Sequence, residues 1–163
     1  MTTQTKQMQI VHTAQGALYQ VMSDRIQVKT SSADTDEAYV IVEVVSPPGG
    51  GPPRLATHPQ QETFYILEGE FGIDTLRDGV PARDVARAGD VVNIPGMVPH
   101  TFRNIGSAPG RFIAISAPGG MDRFFAELGV PITDPANPSK PSGPPDMQRV
   151  IEICARHNVI FVS

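Results

Sequence analysis

The chain has 163 residues, of which 40% are hydrophobic and 18% are charged, and its formal net charge is −4. This length suits one domain with a sizeable core, and the mild acidity without a basic cluster argues against nucleic acid or a membrane surface as a partner. Cys154 is the only cysteine, which excludes an internal disulfide and an all-cysteine zinc site.

The N-terminal segment, residues 1–15, is polar at its start and is expected to be partly flexible. Its first residues, MTTQTKQMQI, lack the apolar core of a signal peptide, and no apolar run in the chain approaches the length of a membrane span. We therefore expect a cytoplasmic protein.

Short apolar segments separated by turn residues fill residues 16–118. They predict strands over ALYQV, RIQVK, AYVIVEVV, TFYIL, EFGIDTL, ARDVAR, DVVNIP, HTFRNI and RFIAISAP. The AYVIVEVV run at 38–45 is apolar on both parities except for Glu43, which predicts a strand covered on both sides. The proline and glycine run at 47–53 predicts a loop. Turn signals every eight to twelve residues predict a sandwich or a barrel.

Residues 119–163 follow a different, helical period. The predicted apolar stripes are Met121, Phe124, Phe125 and Leu128 in one helix, and Met147, Val150, Ile151 and Cys154 in a second helix over residues 146–158. Residues 131–145 contain six prolines and predict an extended connector, and residues 159–162 predict a final strand or anchor. We expect these helices to cover the outside of the barrel or a partner subunit, with Cys154 as an inert core thiol.

Two segments carry the candidate chemistry: GGGPPRLATHPQQETFYILEGE at 49–70 and GDVVNIPGMVPHTFRN at 89–104. Together they resemble the two signature motifs of the cupin superfamily. The matching residues are Glu62 and Gly69 in the first motif, and Gly89, Pro95, His100 and Asn104 in the second. Met97 stands where the second motif has its inner glycine.

The resemblance implies an all-β fold, an antiparallel double-stranded β-helix (jelly roll, or cupin barrel) with short C-terminal helices. It divides the chain into a partly flexible segment at 1–15, a cupin barrel at 16–118, and a helical extension at 119–163 that packs on the barrel. The extension resembles that of single-domain cupins related to quercetin dioxygenases. A homodimer is expected by the same resemblance.

Cupins hold a metal with three histidines and one glutamate, two of the histidines forming a His-x-His pair on one strand. With three residues between this pair and Glu62, the pair falls on Ala56 and His58, leaving His58, Glu62 and His100 as ligands. With four residues, the pair falls on Leu55 and Thr57, and both ligands are lost. Gapless counting from residues 51–53 favours the second register and the His58–Pro59 pair favours the first, so the sequence leaves open whether His58 or Thr57 faces the cavity.

The second motif places His100 in the barrel. His100 alternates with Phe102 and Asn104, so these three side chains share one face of their strand, which we expect to face the cavity. The expected apolar lining of the pocket is Phe64, Ile66 and Phe102. His12 and His157 lie outside both motifs and are expected to be structural or solvated.

The sequence favours a small-molecule-binding cupin whose metal site is degenerate and whose catalysis is open. In that hypothesis Glu62 and His100 form a titrating, catalytic pair in the pocket. The alternative is a metal-dependent dioxygenase of the quercetinase-like kind that acts on a small aromatic or enolisable substrate. Its metal, a divalent ion of Fe, Mn, Ni, Cu or Zn, would bind to His58, Glu62 and His100. The substrate, the identity of the metal and the existence of turnover stay open.

Overall fold

The structure is a computed structural model that describes residues 7–138 and 143–162. The first six residues of the N-terminal segment and residues 139–142 of the predicted connector lie outside the described residues. Residues 7–15 form no strand or helix, and their side chains are exposed.

The predicted strands form two antiparallel sheets that face each other. In the described part of the chain the larger sheet has the order β11-β1-β2-β3-β10-β5-β8 and the smaller one β12-β4-β9-β6-β7. The strands are β1 (Leu18–Val21), β2 (Asp24–Thr30), β3 (Val40–Ser46), β4 (Ala56–Thr57), β5 (Gln61–Glu68), β6 (Glu70–Arg77), β7 (Val80–Arg87), β8 (Val91–Ile94), β9 (His100–Asn104), β10 (Gly110–Ala117), β11 (Val130–Pro131) and β12 (Ile160–Phe161). A 3-10 turn at Ala33–Thr35 and two helices, α1 (Met121–Leu128) and α2 (Met147–Arg156), complete the elements.

The hydrophobic core fills the space between the two sheets. Along β3 the buried positions are Val40, Val42 and Val44, and the residues between them are only half-buried. The prediction that both faces of this strand are covered was therefore wrong, because only the inner face of the larger sheet meets the smaller one. Three phenylalanines, Phe64, Phe71 and Phe102, pack around Phe112 at the centre, and the ring centroids in this group of four lie 4.7 to 6.1 Å apart.

The C-terminal part of the chain closes one side of the barrel; we call α1, β11, α2 and β12 the cap. Strand β11 pairs with β1 and strand β12 pairs with β4, so the cap adds one edge strand to each sheet. Helix α1 starts after Gly120, ends before Gly129, and packs against β1, β3 and α2. None of the described helices is long and apolar enough to cross a membrane.

Helix α2 is rotated relative to the predicted stripe. Its buried residues are Val150, Ile153 and Cys154, whereas Met147 and Ile151 are largely exposed. The stripe 150, 153, 154 continues to His157, which contacts the ring of Phe124 on α1. The contact with α1 determines which face of α2 is buried, and the spacing of apolar residues within α2 alone does not predict that face.

Candidate metal centre

Three strands bring His58, Glu62 and His100 together inside the barrel. Glu62 lies near the start of β5, His100 begins β9, and His58 follows the two-residue strand β4. Ala56 of β4 pairs directly with His100 of β9, so the chain follows the register with three residues before Glu62. His58 and Ala56 line the cavity, and Thr57 is not among the lining residues.

The imidazole nitrogens of both histidines approach the same carboxylate oxygen. The Oε2 atom of Glu62 lies 3.4 Å from Nε2 of His58 and 3.2 Å from Nε2 of His100. The two imidazole rings meet edge to face, with centroids 4.9 Å apart. One donor atom from each of the three residues lies within 4.8 Å of the others, so the three side chains could hold one metal ion after a small adjustment.

Neighbouring groups orient two of these side chains. The Nδ1–H group of His100 donates to the carbonyl oxygen of Val98 at 2.8 Å, which turns Nε2 towards Glu62. The hydroxyl of Ser116 donates to Oε1 of Glu62 at 3.0 Å. The Nδ1 atom of His58 is buried and has no hydrogen-bond partner among the described residues. Sequence reasoning missed the role of Ser116, although it is a polar residue at an inward position of the apolar strand β10.

The electrostatics of the cluster favour the ionised forms of Glu62 and His100. Burial by itself raises the pKa of Glu62, but the hydrogen bonds and charges of His100 and His58 outweigh burial and hold this pKa well below its usual value. Burial lowers the pKa of His100, and Glu62 together with the Val98 carbonyl more than reverses that effect. Without a metal, Glu62 is therefore a carboxylate and His100 tends towards the imidazolium form, whose proton a metal would displace.

The three side chains fit a divalent transition metal. Two imidazole nitrogens and one carboxylate oxygen are the donor types that Fe, Mn, Ni, Cu and Zn accept, and three protein ligands leave coordination positions open. Histidines that bind a metal through one ring nitrogen usually donate a hydrogen bond from the other, and Nδ1 of His100 donates such a bond to a backbone carbonyl. Ala56, which pairs with His100 and lines the cavity, has no donor atom, so we expect at most three ligands from this chain.

An apolar cavity of about 150 Å³ opens from the cluster towards the cap. Phe64 and Phe102, the two phenylalanines named for the pocket in the sequence analysis, are among its lining residues. The expectation that Ile66 lines the cavity was wrong: Ile66 is 1% exposed and lies in the core, outside the set of lining residues. Ile66 lies two residues after Phe64 on the same face of β5 and pairs with Phe112 of β10. The side chain of Ile66 therefore packs in the core beside Phe112, farther along the strand than the cavity.

The other residues singled out in the sequence lie elsewhere. Asn104 is buried but not part of the cavity wall; its side chain hydrogen-bonds to the backbone of Ser46 at the end of β3 and to the backbone of the loop between β9 and β10. His12 is exposed, and His157 hydrogen-bonds to Glu127 of α1, so both lie away from the cluster of His58, Glu62 and His100. Cys154 lines the cavity from the cap, and burial raises the pKa of its thiol.

Asp24 is a second buried carboxylate in the cavity wall, and no sequence pattern indicated it. It is 4% exposed, and its Oδ1 accepts a hydrogen bond from the hydroxyl of Ser46 at 2.6 Å. Burial raises the pKa of Asp24 to about 6, against the opposing effects of Ser46, Ser23 and Arg103. An acid whose pKa is raised by folding binds more protons in the folded state, so its contribution to the free energy of unfolding falls as the pH rises from about 4 to about 6.

We therefore expect Asp24→Asn to stabilise the protein at pH 7.5 by up to about 3 kcal/mol, which is the free energy that corresponds to a carboxyl pKa raised to about 6. The amide keeps an acceptor for Ser46 and removes the buried charge. Urea unfolding of both proteins at pH 7.5 and pH 4.5 measures the effect, which should shrink at the lower pH. A variant that is less stable than the wild type at pH 7.5 would contradict this interpretation of Asp24.

Comparisons with known proteins match this fold and this region. The family model described as a cupin domain matches residues 42–116. Quercetin 2,3-dioxygenase of Bacillus subtilis (strain 168) is 27% identical over 118 residues, which cover 71% of this chain and 33% of that protein. The chain thus spans about a third of the length of this curated relative.

Two solved structures have similar folds at 20% sequence identity. The polyketide cyclase RemF from Streptomyces resistomycificus has a TM-score of 0.59, covering 68% of this chain and 80% of that one. An RmlC-like cupin from Shewanella frigidimarina has a TM-score of 0.57, covering 72% of this chain and 98% of that one. These likenesses confirm the prediction of an all-β jelly roll.

Proposed function

The chain belongs to the cupin superfamily, and from that premise we propose that it binds a small molecule at a mononuclear divalent metal centre held by His58, Glu62 and His100. The observation that carries this proposal is the convergence of Nε2 of both histidines on one oxygen of Glu62. The sequence favoured a degenerate, metal-free site because the register at His58 was open. The pairing of Ala56 with His100 supports the register that keeps three ligands.

The class of chemistry follows from the donor set and the cavity. A two-histidine, one-carboxylate centre with open positions is typical of metals that act on oxygen or on an enolisable substrate oxygen. The protein side chains hold the metal and shape its surroundings: Ser116 orients Glu62, and Val98 orients His100. Phe64 and Phe102 provide an apolar wall that excludes water. We propose a dioxygenase or a related activity on a small aromatic or enolisable compound.

A metal-free acid–base role for the same pocket is the second candidate. The observation in its favour is the direct hydrogen bond between His100 and Glu62, which keeps both side chains partnered without a metal. In this alternative the imidazolium of His100 would donate a proton to the bound molecule, and Glu62 would hold the ring in place.

Metal analysis of native protein separates the two candidates. We expect about one equivalent of a transition metal per chain after purification without chelators, because three buried donors converge on one position. Elemental analysis by mass spectrometry, repeated after addition and removal of Fe, Mn, Ni, Cu and Zn, gives the stoichiometry. Protein that takes up none of these metals would exclude the metal centre and leave the acid–base alternative.

We also propose a homodimer that forms through the outer face of the larger sheet. Tyr65, Val91 and Ile115 lie on neighbouring strands of this sheet, and each is 39% exposed or more. Tyr65 pairs directly with Val91, so their side chains form one apolar surface. Such surfaces on soluble proteins often mark an interface, and a twofold dimer uses one patch twice.

We expect sedimentation equilibrium to give twice the chain mass for the wild type and a shift towards the monomer for Tyr65→Lys. Val80→Lys is the matched control, since Val80 is exposed on β7 of the other sheet. A monomeric wild type at micromolar concentration would contradict the proposed dimer without affecting the metal site.

A further inference from the structure

The cap forms a large part of the cavity wall, and we propose that Phe124 and Phe125 of the cap restrict the ligand of this site to a compact apolar molecule of about one ring. This inference rests on the proposed metal centre for the role of the ligand, but not for the shape of the cavity. It makes the two phenylalanines specificity-determining residues.

The cavity wall has two sides of different origin. The barrel contributes the metal cluster and the aromatic side chains of Phe64, Phe102 and Phe112. The cap contributes apolar residues from both helices and from the end of the chain: Met121, Phe124, Phe125, Leu128, Val150, Cys154, Val159 and Phe161. The family model ends at residue 116, so the cap side of the wall is a feature of this chain outside the matched barrel.

Phe125 occupies the junction between the two sides. It packs against the core of the barrel and also against the separate core of the cap, which contains Phe124. The Phe124 and Phe125 ring centroids lie 5.6 Å apart, and Phe124 also contacts the ring of His157, the residue directly after α2. Their positions are therefore fixed from several directions, and they form a rigid part of the wall.

Hydrogen bonds hold the start of α1 to the barrel. Asp122 accepts hydrogen bonds from the backbone N–H and the hydroxyl of Ser32, and the same hydroxyl accepts one from the backbone N–H of Gly120. Arg123 forms a bidentate ion pair with Glu37, in which two guanidinium N–H groups donate to the two carboxylate oxygens. A larger ligand cannot displace α1 without breaking these contacts, so the cap limits the size of the ligand.

The volume sets the expected size class. A cavity of about 150 Å³ in a protein core can hold a molecule the size of benzene, and the cavity here has about this volume. The exposed residues Pro53 and Arg54 also line it, so its opening lies at the loop before β4. A flavonol, which has three rings, exceeds this space unless the cap moves.

Binding of two probes to the protein as purified tests the size limit. Phenol represents the single-ring class and 3-hydroxyflavone, which is fluorescent, represents the flavonols. We expect wild-type protein to bind phenol in calorimetry and 3-hydroxyflavone at least tenfold more weakly. Phe125→Ala should bind 3-hydroxyflavone at least tenfold more tightly than the wild type, because it enlarges the cavity where barrel and cap meet.

Ile151→Ala is the matched control, since Ile151 lies on α2 but is half exposed outside the cavity; its preference should equal that of the wild type. Phe124→Leu and Phe125→Leu, which retain apolar volume, test the same point if the alanine variant fails to fold. Cys154→Leu, which fills the cavity from α2, should weaken phenol binding.

Two results would overturn the inference: wild-type protein that binds 3-hydroxyflavone as tightly as phenol, or wild-type protein that binds no phenol at millimolar concentration. Unchanged preference in every folded phenylalanine variant would also overturn it. The metal content of each sample is measured separately. If metal-free protein still prefers phenol to 3-hydroxyflavone, that result would count against the proposed metal centre but not against the size limit.

Discussion

Replacing His100 by alanine should reduce the metal content of the protein from about one equivalent to nearly none. His100 supplies one of three donor atoms, and its Nε2 is held in position by the bond from Nδ1 to Val98. Loss of groups that merely orient metal ligands costs about 10-fold to 100-fold in affinity, so loss of a ligand should cost at least about 100-fold. Ala56 has no donor atom to replace it.

Competition with a chromophoric chelator measures the affinity of wild type and variant for the same metal. His12→Ala is the matched control, because His12 is exposed and distant in the fold from the cluster. Metal bound as tightly by His100→Ala as by the wild type would show that His100 is not a ligand. Glu62→Gln should behave like His100→Ala, since it removes the negative charge of the ligand set.

Asn104→Ala should be among the most destabilising substitutions in the barrel, although Asn104 contacts neither the cluster of His58, Glu62 and His100 nor the cavity. Its amide donates to the carbonyl oxygens of Ser46 and Ala108 at 2.9 Å, and its oxygen accepts the N–H of Gly106. Leaving three buried or half-buried backbone groups without partners costs about 3 kcal/mol in total. For a domain of this size that corresponds to a fall in Tm of roughly 10 °C.

Thermal unfolding of Asn104→Ala against Asn93→Ala measures this effect, since Asn93 is exposed and bonds only to Thr63 among its described side-chain partners. Metal affinity of the folded Asn104 variant should remain near that of the wild type. A loss of stability no larger than that of the Asn93 variant would contradict the role assigned to Asn104.

Local sequence patterns predicted the barrel, because alternation and turn residues are properties of single strands. The strands β5, β6, β9 and β10 lie within one or two residues of the predicted segments. The position of His58 was different. The segment before Glu62 is a loop with a two-residue strand, so its register depends on the pairing of Ala56 with His100 across the barrel. No local pattern encodes that pairing.

Alternation was an incomplete guide at the ends of strands. Asn104 has the parity of His100 and Phe102, yet it ends β9 beyond the cavity, where it contacts the end of β3 and the loop between β9 and β10. The prediction that Ile66 lines the cavity was wrong for the same reason, because alternation along β5 determines which face a side chain lies on but not how far along the strand the cavity extends. The cap was predicted as helices, but its place over the cavity depends on contacts between α1, β1 and α2 that lie far apart in the sequence.

The central claim is that His58, Glu62 and His100 bind one metal ion at the base of the cavity. Anomalous diffraction from a crystal of the native or metal-loaded protein, recorded on both sides of the metal's absorption edge, tests it most directly. The account predicts one strong anomalous peak per chain, within bonding distance of Nε2 of both histidines and of a Glu62 carboxylate oxygen. A metal-loaded crystal with no peak there, or with its peak on other residues, would contradict the account.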